Sequence, residues 1–119
     1  ENIRDWLFVE DHADALIKVI SDGLVGEKYC IGGNEEKTNN EIANIVCNYL
    51  DELQPRNTSY KSLITYVKDR KGHDYRYANR TDKIQNELNW YPKFSFEEGI
   101  RNTINWYLKN KNWYDNHIR

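Results

Sequence analysis

Hydrophobic positions in this chain recur at two periods, and the helical one dominates. In "WLFVEDHADALIKVISDG", Ala13, Leu16, Ile17 and Ile20 return at helical spacing, which predicts an amphipathic helix stopped at Gly23. Asp11 is the expected cap, with Asp14 three residues on. "GEKYCIGG" is a short apolar run closed by Gly32 and Gly33, and it predicts a buried strand. The strongest pattern comes next. Thr38 and Glu41 have the spacing of a capping box, and Ile42, Ile45, Val46, Tyr49, Leu50 and Leu53 form one stripe that ends before Pro55. "SLITYV" predicts a second strand. "TDKIQNELNW" predicts a short helix with Ile84 and Leu88 inward. After Pro92 a last helix opens on a Ser95–Glu98 capping box and buries Ile100, Ile104, Tyr107 and Leu108. Trp6, Trp90 and Trp106 are assigned to packing, and the polar tail 109–119 is expected to fray. The order α–β–α–β–α–α is a helix-rich α/β pattern.

Composition narrows the picture. The chain has 119 residues, enough for one domain or a piece of one, and its 30% charged residues leave limited apolar material for a core. A formal net charge of −2 excludes the one-signed basic field that general nucleic-acid binding needs. No run of about 18 apolar residues is present, so no membrane-spanning helix is expected. The opening "ENIRDWLFVED" has neither the basic start nor the apolar core of a signal peptide, and it lacks a starting methionine. A piece of a longer, cytoplasmic protein is therefore expected. Cys30 and Cys47 are the only cysteines and are read as reduced, packed thiols rather than a metal site or disulfide.

Candidate chemistry is sparse. A dinucleotide loop needs a G-x-G-x-x-G turn, and "CIGGNEEKTNN" offers only a glycine pair, better read as a strand-to-helix turn. Tyr107 and Lys111 match the Y-x-x-x-K spacing of short-chain dehydrogenases, but Tyr107 lies on the apolar stripe of the last helix and is assigned to packing. His12, His73 and His117 have no metal-ligand spacing. What remains is "YVKDRKGHDYRYAN", residues 66–79, which sets Asp69, Arg70, Lys71, Gly72, His73 and Asp74 side by side. Residue type alone reads this run as a solvated turn, Arg4 as a surface ion-pair partner of Asp5 or a neighbouring acid, and Asn39 as a local cap.

Four stretches, in order, change that reading: "IRDWLFVEDHADAL", "GEKYCIGGNEEKTN", "DRKGHDYRYA" and "ELNWYPKFSFEEGIRNTINWYL". Together they resemble the C-terminal part of the extended short-chain dehydrogenase/reductases, and within them the dTDP-glucose 4,6-dehydratase family. The resemblance covers residues 1–108, leaving 109–119 as a tail. It implies a Rossmann-type α/β fold, of which this chain holds the C-terminal part and much of the small substrate-binding domain. It also implies an NAD-dependent lyase that oxidises glucose C4, expels water across C5–C6 and returns hydride to C6, giving dTDP-4-keto-6-deoxyglucose for deoxysugars such as rhamnose. In that family NAD and the catalytic residues are held by upstream segments, so the resemblance implies no catalytic or cofactor residue here and no turnover by this chain alone. The parent is implied to be a homodimer.

Carried over position by position, the family's nucleotide-sugar contacts fall on Arg4, Asn39, Asp69, Arg70, Lys71, Gly72 and His73. The residue types suit a diphosphate. Guanidinium forks at Arg4 and Arg70 pair with its oxygens, and Asn39 heads a helix whose free amides favour an anion. Gly72 permits a tight turn; His73 can donate to a phosphate or ribose oxygen; Asp69 can accept a hydroxyl or orient Arg70. The chain departs from the family at Lys71, where proline is common. Two alternatives stand beside this reading: another nucleotide-sugar epimerase or decarboxylase, and a stand-alone binding module without chemistry.

Overall fold

The computed structural model describes residues 2–117. In chain order they form β1 (Ile3–Asp5), α1 (Val9–Asp22), β2 (Glu36–Thr38), α2 (Asn39–Leu53), a 3-10 turn at Tyr60–Leu63, β3 (Arg76–Tyr77), α3 (Asp82–Leu88), α4 (Phe96–Lys109) and α5 (Lys111–His117). The three strands make one small sheet in the order β2-β1-β3. β1 runs antiparallel to β2, with Arg4 opposite Lys37, and parallel to β3, with Arg4 opposite Tyr77. Arg76 on β3 reaches across to Glu36 on β2 through two charge-assisted hydrogen bonds of 2.5 Å. Strands this short show no readable alternation, and the sequence pattern predicts none of the three.

The helices form where their start signals place them. Thr38 Oγ1 accepts from the Glu41 amide at 3.1 Å while Glu41 Oε2 accepts from the Thr38 amide at 2.7 Å, and Ser95 with Glu98 repeats the arrangement. α1 starts differently. Its cap position is Phe8, with no side-chain cap, and Asp11 lies inside the helix. Asp11 is 1% exposed, and its carboxylate accepts from the Lys93 and Phe94 amides at 2.9 and 3.2 Å. The connection between α3 and α4 thereby finds acceptors for two amides that its own turn does not satisfy.

Two modest cores result. Ala15 of α1, Ile84 and Leu88 of α3 and Trp90 pack together, flanked by Leu7, Val19, Tyr29 and Ile31. α2 packs on α4, where Ile42, Cys47 and Ile104 are buried. Gly99 lets α4 approach Phe8, since a Cβ there would lie 2.9 Å from the Phe8 Cβ.

Several expectations fail for a shared reason: apolar segments are present without a partner to bury them. α1 exists, but Ala15 and Val19 face the core while Ile17 and Ile20 stand 67% and 85% exposed. "GEKYCIGG" begins in a turn at Gly26 and pairs with no strand among the described residues, so it forms none. Its alternation survives: Tyr29 and Ile31 turn to the core, and Cys30 is exposed rather than packed, unlike buried Cys47. "SLITYV" overlaps the 3-10 turn and then runs irregularly, with Tyr66 and Val67 largely exposed. Trp106 and Tyr107 are also nearly half exposed. The tail, expected to fray, is helical over Lys111–His117, where Trp113 meets Trp106 edge-on at 5.2 Å. The radius of gyration is 17.1 Å, whereas a compact domain of this length has about 13–14 Å.

Asp11→Ala leaves two loop amides without an acceptor and is expected to lower stability by about 1.5–3 kcal/mol in urea denaturation, with Asp11→Asn losing less. The exposed face of α1 is expected to make the isolated chain self-associate. Sedimentation velocity should show Ile17→Lys with Ile20→Lys shifting it toward monomer at unchanged helical circular dichroism.

Candidate functional site

The site is built on β1. Successive side chains of a strand point to opposite faces, so Asn2 and Arg4 share one face and Asp5 takes the other. Asp5 uses its side for scaffolding: its carboxylate accepts from the Gly33 amide at 3.1 Å and the Glu35 amide at 2.9 Å. Arg4 is therefore not its ion-pair partner. The Arg4 guanidinium turns to the loop before β3, where Nη2 lies 2.6 Å from His73 Nε2 and donates to the Asp74 carbonyl at 3.0 Å. Nη1 donates to the Ile3 carbonyl at 2.6 Å.

That contact fixes the histidine tautomer. A guanidinium only donates, so Nε2 of His73 is the acceptor and the ring proton sits on Nδ1. Nδ1–H then donates to Asp69 Oδ1 at 2.7 Å. The same oxygen accepts from the Arg70 amide at 2.8 Å, and Oδ2 accepts from Asn2 Nδ2 at 2.9 Å. Hydrogen bonds from Asn2 and His73 hold the Asp69 carboxyl down to about 2. Gly72 sits at φ +73° with open space around it, so the turn needs a left-handed residue that glycine supplies without strain. Arg70 and Lys71 are exposed, and among the described residues neither takes part in an ion pair.

Asn39 is the first residue of α2, and its amide donates to the Asn2 carbonyl at 3.0 Å. The structure thus brings Arg4, Asp69 and His73 into direct contact, and Asn39 joins them through Asn2. Asn39, Arg70 and Lys71 are exposed. The sequence reading missed Asn2. Its signal was the i, i+2 relation to Arg4, legible only once β1 is known to be a strand.

Other candidates fall into place. Tyr107 and Lys111 lie on different helices, with Asn110 ending α4 between them, so the Y-x-x-x-K spacing does not put them on one face. Gly32 and Gly33 are explained by packing: a Cβ on the first would meet Asp5 Oδ2 at 2.2 Å, and on the second the Trp6 carbonyl at 2.1 Å. A cleft of about 630 Å³ opens between the β1–α1 connection and α4–α5. Aromatic side chains dominate its lining, among them Trp6, Phe8, Phe94, Phe96 and Trp106. None of the seven predicted site residues lines it, and its apolar walls do not suit a diphosphate.

This mixed helix and sheet arrangement is that of the C-terminal part of a Rossmann-type extended short-chain dehydrogenase/reductase. More narrowly, the family model for GDP-mannose 4,6 dehydratase matches residues 1–103, and the chain belongs to that family. The dTDP-glucose 4,6-dehydratase of Escherichia coli is 53% identical over 116 residues, covering 98% of this chain and 32% of its own length. Among solved structures, dTDP-glucose 4,6-dehydratase from Bacillus anthracis, in complex with NAD, aligns with a TM-score of 0.81 at 46% identity, covering 94% of this chain and 33% of that one. The Bordetella bronchiseptica enzyme WbmF, in complex with NAD⁺ and UDP, aligns at 0.69 with 26% identity, covering 96% and 31%. The chain spans about a third of the length of the curated relatives it matches.

Asp69 is the group whose titration reports on this cluster. Its folded value lies below the ordinary 3.8, so its contribution to holding the loop is complete above pH 3.8 and is lost as the pH falls through about 2. Carbon-13 NMR of the carboxyl should show that midpoint, and His73→Ala should raise it.

Proposed function

We propose that the chain is the nucleotide-sugar side of a dTDP-glucose 4,6-dehydratase. The whole enzyme converts dTDP-glucose to dTDP-4-keto-6-deoxyglucose with loss of one water. The observation that carries this reading is the meeting of three sequence-distant segments on one strand: Arg4 itself, the Asp69–His73 turn bound to it, and the head of α2. Relatives that match almost the whole chain bear that enzyme's name.

In this reading the diphosphate lies over the outward donors. Arg70 and Lys71 supply positive charge that no ion pair among the described residues takes up, and Arg4 supplies the donors its own contacts leave free. Asn39, at the start of α2, adds its side-chain amide and the positive end of the helix dipole, its backbone amide being held by Asn2. Gly72 shapes the turn, and His73 holds Arg4 in place. Asp69, with both oxygens occupied, orients the loop rather than accepting a sugar hydroxyl. These residues lie on an open surface, so the pocket's other wall comes from segments of the enzyme outside these 119 residues.

NAD is the cofactor of the relatives, and the described residues do not fit it: the one glycine pair is filled by contacts to Asp5 and Trp6. No step of the reaction is therefore assigned to this chain, which binds and orients substrate within residues 1–108; 109–119 is a peripheral tail. The described helices include none long and apolar enough to cross a membrane; in this reading the enzyme is cytoplasmic and acts on a nucleotide sugar. A homodimeric parent completes the reading.

The test is kinetic. In a full-length dehydratase carrying this sequence, Arg70→Ala is expected to raise KM for dTDP-glucose about 10- to 100-fold, the loss of one charge-assisted contact, with NAD occupancy unchanged. An unchanged KM removes Arg70 from the site. The same reading holds that the pure 119-residue chain shows no turnover.

A further inference from the structure

We propose that Asn2 is a positioning residue of this site: beside Arg4, its side chain ties the Asp69–His73 turn to the central strand, and its backbone carbonyl holds the head of α2 there. The inference rests on the nucleotide-sugar reading for its functional consequence, but its geometry stands alone.

Asn2 works through both ends. Its side-chain nitrogen lies 2.9 Å from Asp69 Oδ2 and 2.9 Å from His73 Nδ1. The tautomer decides which of the two is a hydrogen bond. Because Arg4 occupies Nε2 as donor, Nδ1 of His73 carries the proton and cannot accept from Asn2. The Asn2 amide therefore donates to Asp69, and His73 donates to the other oxygen of the same carboxylate. One carboxylate is gripped from two sides, by a strand residue and by the histidine that orients Arg4. At its other end Asn2 offers its backbone carbonyl to the amide of Asn39, the first residue of α2.

Each member of the array fixes the next. Asn2 sets Asp69, Asp69 sets the tautomer and tilt of His73, and His73 sets the Arg4 guanidinium. The outward donors, Arg70 and Lys71, ride on the same turn. Removing the Asn2 amide frees one carboxylate oxygen, loosens the turn from β1 and leaves the substrate-facing groups chemically intact but less well placed. The cost should then appear in substrate binding, since no group that reacts is removed.

The experiment compares Asn2→Ala, Asn2→Gln and Arg70→Ala in a full-length dTDP-glucose 4,6-dehydratase carrying these residues, beside NMR titration of Asp69 in the 119-residue chain. Asn2→Ala should raise KM for dTDP-glucose about tenfold while kcat changes far less, the size of one lost hydrogen bond to a charged group. It should also move the Asp69 midpoint up from about 2 toward the ordinary 3.8. Asn2→Gln, which keeps the amide donor, should recover part of both. A KM unchanged by Asn2→Ala while Arg70→Ala raises it overturns the positioning role and leaves the site reading standing. An unmoved Asp69 midpoint overturns it as well. If neither variant alters KM, the nucleotide-sugar reading fails, and the Asp69 midpoint still decides whether Asn2 holds the turn.

Discussion

The candidate site depends on one constraint: the three-residue β1 must be paired on both edges at once, all of it with β2 and Ile3 and Arg4 with β3. β2 fills one edge and leads directly into α2, so the antiparallel register that sets Ile3 opposite Thr38 also sets the head of α2 beside Asn2. β3 fills the other edge and follows the basic turn, so the parallel register returns that turn to the Arg4 face. Strands of two and three residues contribute few ladder bonds, each worth only about 1 kcal/mol net. The sheet is held by side chains as much as by its ladders. The Glu36–Arg76 pair bridges the outer strands, and Asp5 gathers the Gly33 and Glu35 amides on the face away from Arg4.

Asp5 belongs to a wider pattern. Asp11 accepts from the Lys93 and Phe94 amides, Asp51 from the Tyr60 amide and the Ser59 hydroxyl, and Asp69 from the Arg70 amide. Asp5, Asp11 and Asp51 stand on regular elements and fix the backbone of segments further along the chain, whereas Asp69 lies within its own loop and fixes the next amide. Charge-assisted bonds of this kind are stronger than neutral ones and satisfy amides that a loop cannot pair internally. This is how a chain with little apolar core keeps long connections in place. It also explains why these aspartates look unremarkable in sequence: nothing local distinguishes an Asp that reaches a loop 82 residues away from one that faces water.

Legibility divided along the same line. Helix starts depend on neighbours within four residues, so both capping boxes and the inward Ile84 and Leu88 were readable. Strands depend on partners far along the chain, so β1, β2 and β3 were not, and "GEKYCIGG" has the alternation of a strand without the pairing. Of the site, Arg4, Asp69 and His73 were reached through a family resemblance, since spacing alone favoured a solvated turn. Asn2 lay out of reach because its role comes from tertiary contacts to residues 39, 69 and 73. The outer face of α1 was misplaced for a different reason. α1 carries apolar residues on two faces, and periodicity locates a stripe without saying which of two it buries first.

The electrostatics of the turn separate holding from binding. Asp69 and His73 spend their hydrogen-bonding capacity on each other, on Asn2 and on Arg4, so they form a closed array that an arriving ligand need not break. Arg70 and Lys71, one and two residues beyond the gripped carboxylate, inherit its fixed position while their charges stay in solvent. Under the proposed function, a diphosphate placed there would meet cations carried on a turn already held by Asn2 and Arg4, so less ordering entropy would be lost on binding. Were Asp69 instead paired with Arg70, the ligand would have to displace a carboxylate to reach the guanidinium. The backbone amide of Arg70, not its side chain, occupies Asp69, so among the described residues no carboxylate holds the guanidinium, the condition the proposed phosphate contact requires.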